Sequence, residues 1–372
     1  MERADTVAEV RVYGYDLSYA HGTYVMSKGR EITVLRSVVV ALTARSGATG
    51  YGEVCPLGST YLPGFAGGIF AALAELGPAL IGQDPGRPGA VGATMDECLA
   101  GHAYAKSAID IAALDLFGRQ SGLSCSALLG GKRLEDFLLY VAVPLNTPAA
   151  MADFVGEARA EGIHRFQLKI GGTPEQDAAR AAAVVAATGP EDVIVADANG
   201  GWRLQDATVA VRLLDGLERL RLEQPCPTIE ECLILRQRTS LPFVLDEVIT
   251  DVAALIRCYE AGAMDAINVK ISRLGGLTRA RQVRDLAQEL GLRLTIEDTW
   301  GGDLTTAAVS HLAATTAPEA LYAASFMNDW TLEHIAGYRP RSVAGTGRAP
   351  VEAGLGVAVD EALLGEPVAR YR

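Results

Sequence analysis

Residues 165–170, 193–198, 219–224, 242–247 and 266–271 read RFQLKI, VIVADA, RLRLEQ, PFVLDE and AINVKI. Each is a short, mostly apolar run that closes on a charged side chain: Lys169, Asp197, Glu223, Asp246 and Lys270. The charges follow one another at intervals of 28, 26, 23 and 24 residues, one strand plus one helix per step. Three further runs, LLYVAVPL from Leu138, LRLTIED from Leu292 and LYAASF from Leu321, make eight strand candidates. Helical stretches such as PEQDAARAAAVVAAT and LTRARQVRDLAQELG lie between them. This alternation predicts a parallel sheet in an α/β fold. Eight strands predict a closed TIM-type barrel, (β/α)7β, over residues 126–330. Such barrels keep their chemistry at the C-terminal rim of the strands, where the five charges would gather. No G-x-G-x-x-G follows an early strand, which speaks against a dinucleotide fold.

Residues 1–125 have another rhythm. VAEVRVYGYDL at 7–17, a run from Ile32 and a third after SGATGYGEV predict an antiparallel meander. GGIFAALAELGPALIG and AKSAIDIAALDLFGRQSG carry helical periodicity. Together they predict an α+β capping domain, with segment 331–372 returning to it. Two Gly-rich stretches, YAHGTYVMSKGR at 19–30 and CPLGSTYLPGFAGG at 55–68, read as loops that fold over the barrel mouth.

The bulk composition narrows the function classes. A chain of 372 residues with 49% hydrophobic side chains supports a large core. The net charge of −12 argues against nucleic-acid binding, which needs a basic footprint. Six cysteines without a C-x-x-C pair read as reduced thiols of a cytoplasmic protein. The start, MERADTVAEV, lacks a signal peptide's basic and apolar regions, and no apolar run is long enough to span a bilayer.

Taken singly, each strand-end charge reads as a solvated chain exit. Asp197, Glu223 and Asp246 would, however, share one rim, where carboxylates repel unless a cation joins them. An all-oxygen set without His or Cys favours Mg²⁺ over zinc, and Asn199 and Glu247 stand beside it. Lys169 and Lys270 would face each other across the barrel and lower each other's pKa, suiting them to proton transfer. Mg²⁺ would bind a substrate carboxylate and stabilise the enediolate left when the α-proton departs.

With these residues in place, the chain resembles the enolase superfamily, in its mandelate racemase/muconate-lactonizing branch. GYGEV, AKSAIDIAALDLFGRQSG, LLGGK, DANGGW, EQP, DE and KISRLGGLT carry the resemblance across nearly the whole chain. It implies Asp197, Glu223 and Asp246 as Mg²⁺ ligands, Lys169 and Lys270 as the acid/base pair, and a homo-oligomer, dimer or octamer. One departure is plain: the K-x-K of the muconate-lactonizing subgroup reads Gln167-Leu168-Lys169 here.

IEDTWGGD at 296–303, GHAYAKSAID and the CPLGSTY loop resemble branch members that act on proline derivatives, the cis-3-hydroxy-L-proline dehydratases and 4-hydroxyproline betaine 2-epimerases. The expected partner is thus a small-molecule carboxylate, a proline derivative. Asp298 would pair with its ammonium, and Tyr61, Trp300, Phe326 and Trp330 would offer aromatic faces to the cation. Dehydration is the leading expectation. The alternative is a racemase or epimerase of proline betaine, 4-hydroxyproline betaine or another amino acid derivative. A non-catalytic barrel that only binds is the alternative of another class, and the complete charged set argues against it. A dipeptide epimerase fits less well, because AASFMNDW lacks a D-x-D.

Overall fold

A computed structural model describes residues 5–372; residues 1–4, with which the expected capping domain begins, lie outside the described residues. The barrel strands are, in order, Val141–Val143, Arg165–Lys169, Val193–Asp197, Leu220–Glu223, Phe243–Leu245, Ala266–Lys270, Arg293–Glu297 and Leu321–Ala324. They pair side by side in chain order. A parallel bridge between Leu139 and Ala324 brings the two end strands together, and the Tyr140 N–H donates to the Ala324 carbonyl at 3.1 Å. Helices after the first seven strands, from Pro148–Ala160 to Asp303–Ala314, form the outer ring.

Two-residue alternation sorts the strand side chains. Phe166, Leu168, Ile194, Ala196, Leu222, Ile267, Val269, Leu294 and Ile296 are at most 1% exposed and belong to the main apolar core. The alternate positions are therefore free to be polar and face the barrel axis: Arg165, Gln167 and Lys169 on the second strand, Arg221 and Glu223 on the fourth, Asn268 and Lys270 on the sixth.

The cap is a four-stranded antiparallel sheet in the order Ala369–Tyr371, Val7–Ser18, Val34–Ala44, Thr49–Val54. Its central strand also divides by twos. Val38, Val40 and Leu42 join Ile69, Leu73, Leu76 and Ile109 in a cap core, while Val39 and Ala41, with Tyr13, Tyr15 and Leu17, turn toward the barrel. Helix Ala103–Ser121 lies directly on Thr49–Val54 because Gly50 and Gly52 leave room for it. A Cβ at Gly52 would stand 2.0 Å from the Ala108 carbonyl oxygen, and one at Gly50 2.3 Å from the Leu116 nitrogen.

One local expectation is corrected, and one helix is added. Part of the 19–30 loop is a hairpin, Tyr24–Met26 against Arg30–Ile32, held by register rather than composition. A helix at Pro88–Cys98 was hidden by its glycines; Pro88 sits in the first turn, where a missing N–H costs nothing. No helix among the described residues is long and apolar enough to cross a membrane.

Candidate active site

Register gathers the charges. Lys169 pairs with Asp197, and Asp197 with Glu223, across the second to fourth strands. Lys270 pairs with Glu297 across the sixth and seventh. The second and sixth strands lie opposite one another in an eight-stranded ring, and Lys169 and Lys270 line one central cavity of about 20 Å³. Both lysines are buried.

Each lysine has its own carboxylate. Lys169 Nζ donates to Asp197 Oδ2 at 2.5 Å. Lys270 Nζ donates to Asp246 Oδ2 at 2.8 Å and stands 3.7 Å from Glu297 Oε1. Asp246 Oδ1 also accepts from Arg273 at 2.8 Å. Asn199 donates to Asp197 at 2.8 Å and to the Tyr61 hydroxyl at 3.2 Å, and Tyr61 in turn donates to Glu247. Gln167, in place of the subgroup's first lysine, holds both oxygens of Glu223 at 3.0 and 3.1 Å; Asn268 adds a bond at 2.8 Å.

These pairings set the protonation states. Burial opposes charge on Lys169, yet Asp197, with Tyr24 and Glu223, raises its pKa well above the ordinary value. For Lys270, burial is likewise outweighed, by Asp246 and Glu297. Among these carboxylates each lysine favours its ammonium form; a divalent cation taking up their negative charge would weaken that pull and leave one lysine able to serve as the base. Burial also works against Asp246, but Arg273 and Lys270 hold its carboxyl below the usual range. Glu223 is pushed up by burial and by Asp197 and Asp246. Glu247 rises to about 7 through burial and the same two aspartates. Burial raises Asp298 to about 6, against hydrogen bonds from Ser272 and Thr299.

The carboxylates fit a hard divalent cation. Glu223, Asp246 and Glu297 each offer an oxygen, all within 4.8 Å of one another. Glu297 Oε1 is buried without a hydrogen-bond partner, and every donor is a carboxylate oxygen. Asp197 is outside this converging trio; its Oδ2 accepts from Lys169 and Asn199.

Of the expected substrate contacts, Tyr61, Asp298, Trp300 and Trp330 line the central cavity. Phe326 does not. It packs edge-on against Phe137 at 6.0 Å and borders a separate cavity of about 460 Å³ beside helix Pro148–Ala160. Its strand has ended by then, so alternation no longer aims it inward. Sequence reasoning missed the hairpin's Tyr24, which is tilted against Trp300 at 5.4 Å. It also missed Tyr140, which donates to Glu297 and packs on Trp330 at 6.1 Å.

This geometry has counterparts among known proteins. The enolase C-terminal domain-like family matches residues 150–363, and the mandelate racemase/muconate lactonizing enzyme N-terminal domain matches residues 22–130. The chain belongs to the mandelate racemase/muconate lactonizing enzyme family. Within it, the chain is 43% identical to a cis-3-hydroxy-L-proline dehydratase from Roseibium aggregatum, over 98% of this chain and 99% of that one. An N-succinyl-L-Arg/Lys racemase from Bacillus cereus is 27% identical over 78% of this chain and 79% of its own. Among solved structures, a mandelate racemase/muconate lactonizing enzyme relative from Roseovarius nubinhibens ISM, complexed with magnesium, superposes with a TM-score of 0.95. It is 33% identical, covering 99% of this chain and all of that one. Family members thus include a lyase and an isomerase.

Proposed function

We propose that this protein is a cytoplasmic, homo-oligomeric, Mg²⁺-dependent hydro-lyase that dehydrates cis-3-hydroxy-L-proline or a close hydroxyproline-like acid. The carrying observation is the pair of buried lysines ending opposite strands over one cavity. The whole-chain likeness to a dehydratase of that substrate supports it. Asp197, Glu223 and Asp246 are proposed as the metal ligands, as the resemblance implies, with Glu297 beside them steering Lys270. When bound, Mg²⁺ would supply positive charge to the substrate carboxylate. All six cysteines are free, in keeping with a reducing compartment. In this reading residues 1–125 form the cap, 126–330 the catalytic barrel, and 331–372 return to the cap.

The reaction follows from stereochemistry. In cis-3-hydroxy-L-proline the hydroxyl and carboxylate share one ring face, so the α-hydrogen lies opposite the hydroxyl. Elimination is anti. One lysine, as the free amine, takes the α-proton; the opposed lysine, as ammonium, gives a proton to the departing hydroxyl. Water leaves, and the enamine tautomerises to a pyrroline carboxylate. Asp298 and the aromatic wall of Tyr24, Tyr61, Trp300 and Trp330 would receive the ring nitrogen, and the buried, unpaired Trp300 Nε1 offers a further donor.

The same lysines support epimerisation, the second reading, which the racemase relative favours. Incubating the Mg²⁺-loaded enzyme in D₂O with cis-3-hydroxy-L-proline, and in parallel with proline betaine and 4-hydroxyproline betaine, separates the two by NMR. Pyrroline carboxylate is the expected product. Deuterium at Cα of a betaine with inversion and no water loss would replace the dehydratase by an epimerase, and silence in all tubes would remove both.

A further inference from the structure

The opposite, N-terminal mouth of the barrel holds a cluster that the chemistry above does not use. Arg165 opens the second strand, Arg221 lies in the fourth, Arg293 opens the seventh, and Tyr322 lies in the eighth. Alternation turns all four toward the axis, two positions or more below the catalytic row. Arg221 Nε donates to the Tyr322 hydroxyl at 2.8 Å, and its guanidinium carbon stands 4.7 Å from the ring centroid. The Arg293 guanidinium lies over the same ring at 5.2 Å. Arg165 shares a small interior cavity with Tyr322, Val193, Val195 and Thr295, and the inner end of that cavity reaches Gln167, Asn268 and Glu223.

Three guanidiniums thus meet around one tyrosine, and among the described residues none lies within 4 Å of a carboxylate in an ion pair. Arg165 donates only to the His164 and Glu191 carbonyls, at 2.9 and 3.0 Å, and its Nε is buried without a partner. The carboxylate whose field reaches it is Asp192, already engaged by Arg159 at 2.9 Å, His164 at 2.7 Å and the Gly189 N–H at 2.6 Å. Burial, then the charge of Arg221, lowers the Arg165 pKa, the mark of crowded like charges. In a chain of net charge −12, this is a local concentration of the opposite sign. Guanidinium forks recognise oxyanions bidentately, and an unpaired buried donor is costly until something accepts from it.

We propose that the N-terminal mouth of the barrel is an oxyanion site in which Arg165, Arg221 and Arg293 take a phosphate or phosphate-like group over Tyr322. Barrel chemistry sits at the other rim and the bottom face governs stability, so the bound anion ties the second, fourth, seventh and eighth strands together without entering the reaction.

The test uses the full-length, Mg²⁺-loaded enzyme and inorganic phosphate, with chloride at matched ionic strength as reference. Phosphate should raise Tm by roughly 2 °C or more beyond chloride. The increment should vanish in Arg293→Gln, whose exposed side chain makes it safe for folding, and in Arg221→Gln, both retaining turnover. No increment in the wild type would overturn the proposal. So would an equal increment in both variants, which would place the phosphate at the metal centre or leave an adventitious ion only. A sugar phosphate in a parallel titration identifies the source: tighter binding than inorganic phosphate points to a metabolite, weaker binding to the free anion, and either supports the site.

Discussion

Glu53 and Glu297 are both buried glutamates near the cap–barrel boundary, and they are treated oppositely. Glu53 accepts from the Tyr15 hydroxyl, from Ser37 at 2.7 Å, and from the Gly302 and Thr305 N–H groups at 3.0 Å each. The last two belong to the open N-terminus of helix Asp303–Ala314, so a cap strand closes a barrel helix. Glu297 receives one hydrogen bond, from Tyr140, and leaves its other oxygen unpaired beside Lys270. A buried carboxylate whose oxygens are all engaged joins two lobes. One left short of partners, among like charges, is held ready for a ligand or a proton.

The comparison can be broken most forcefully at the lysines. Lys270→Ala and Lys169→Ala should each reduce turnover by about 10²–10⁴-fold while Mg²⁺ binding persists by calorimetry. Undiminished turnover in either would remove that residue from the chemistry. Next comes the metal. Asp197→Asn should weaken Mg²⁺ by at least about 10–100-fold, whereas Glu297→Gln should slow turnover and leave Mg²⁺ affinity near wild type. If Glu297→Gln instead releases the metal, Glu297 belongs to the ligand set in place of Asp197.

Glu53→Gln should show the reverse profile, with Mg²⁺ affinity intact and unfolding easier by about 1–3 kcal/mol. The smallest effect concerns another lobe junction. His311 Nδ1 accepts from the Ser126 N–H at 3.1 Å and its Nε2 donates to the Leu355 carbonyl at 3.0 Å, so the last barrel helix, the short helix Cys125–Leu128 and the tail meet on a neutral ring. Burial lowers its pKa from 6.5 to about 4. The unfolded chain takes up the proton first as pH falls. The contribution is therefore complete above 6.5 and is lost between 6.5 and 4, up to roughly 3 kcal/mol. Denaturation across that range should show the stability gap between wild type and His311→Asn narrowing; a constant gap would mean the ring does not titrate as described.

Much of the barrel and its charged row was legible because each of Lys169, Asp197, Glu223, Asp246 and Lys270 ends an apolar run, and outward apolar residues make such runs visible. What supports the row was not. Gln167 stood out only as the departure from K-x-K, not as the donor that holds Glu223; Asn268 lies two residues before Lys270, on the same face, and a strict period-two reading would have found it. Arg273, Tyr24 and Tyr140 arrive through a helical turn, a hairpin and the junction of the first and last barrel strands, whose placement depends on tertiary register. The carboxylate partners of the lysines were hidden for the same reason: Asp197 and Asp246 reach them from neighbouring strands.

Residues Ala369–Tyr371 pair with Val10–Val12 along the outer margin of the cap sheet. On the ribosome, the first strand waits through the making of the entire barrel before this neighbour emerges. Until then its backbone groups face outward along a bare margin that any other extended chain can template on. Shortening the chain by these few residues would therefore do its harm during biosynthesis, as clumping of newborn molecules, more than in the catalytic performance of those that escape.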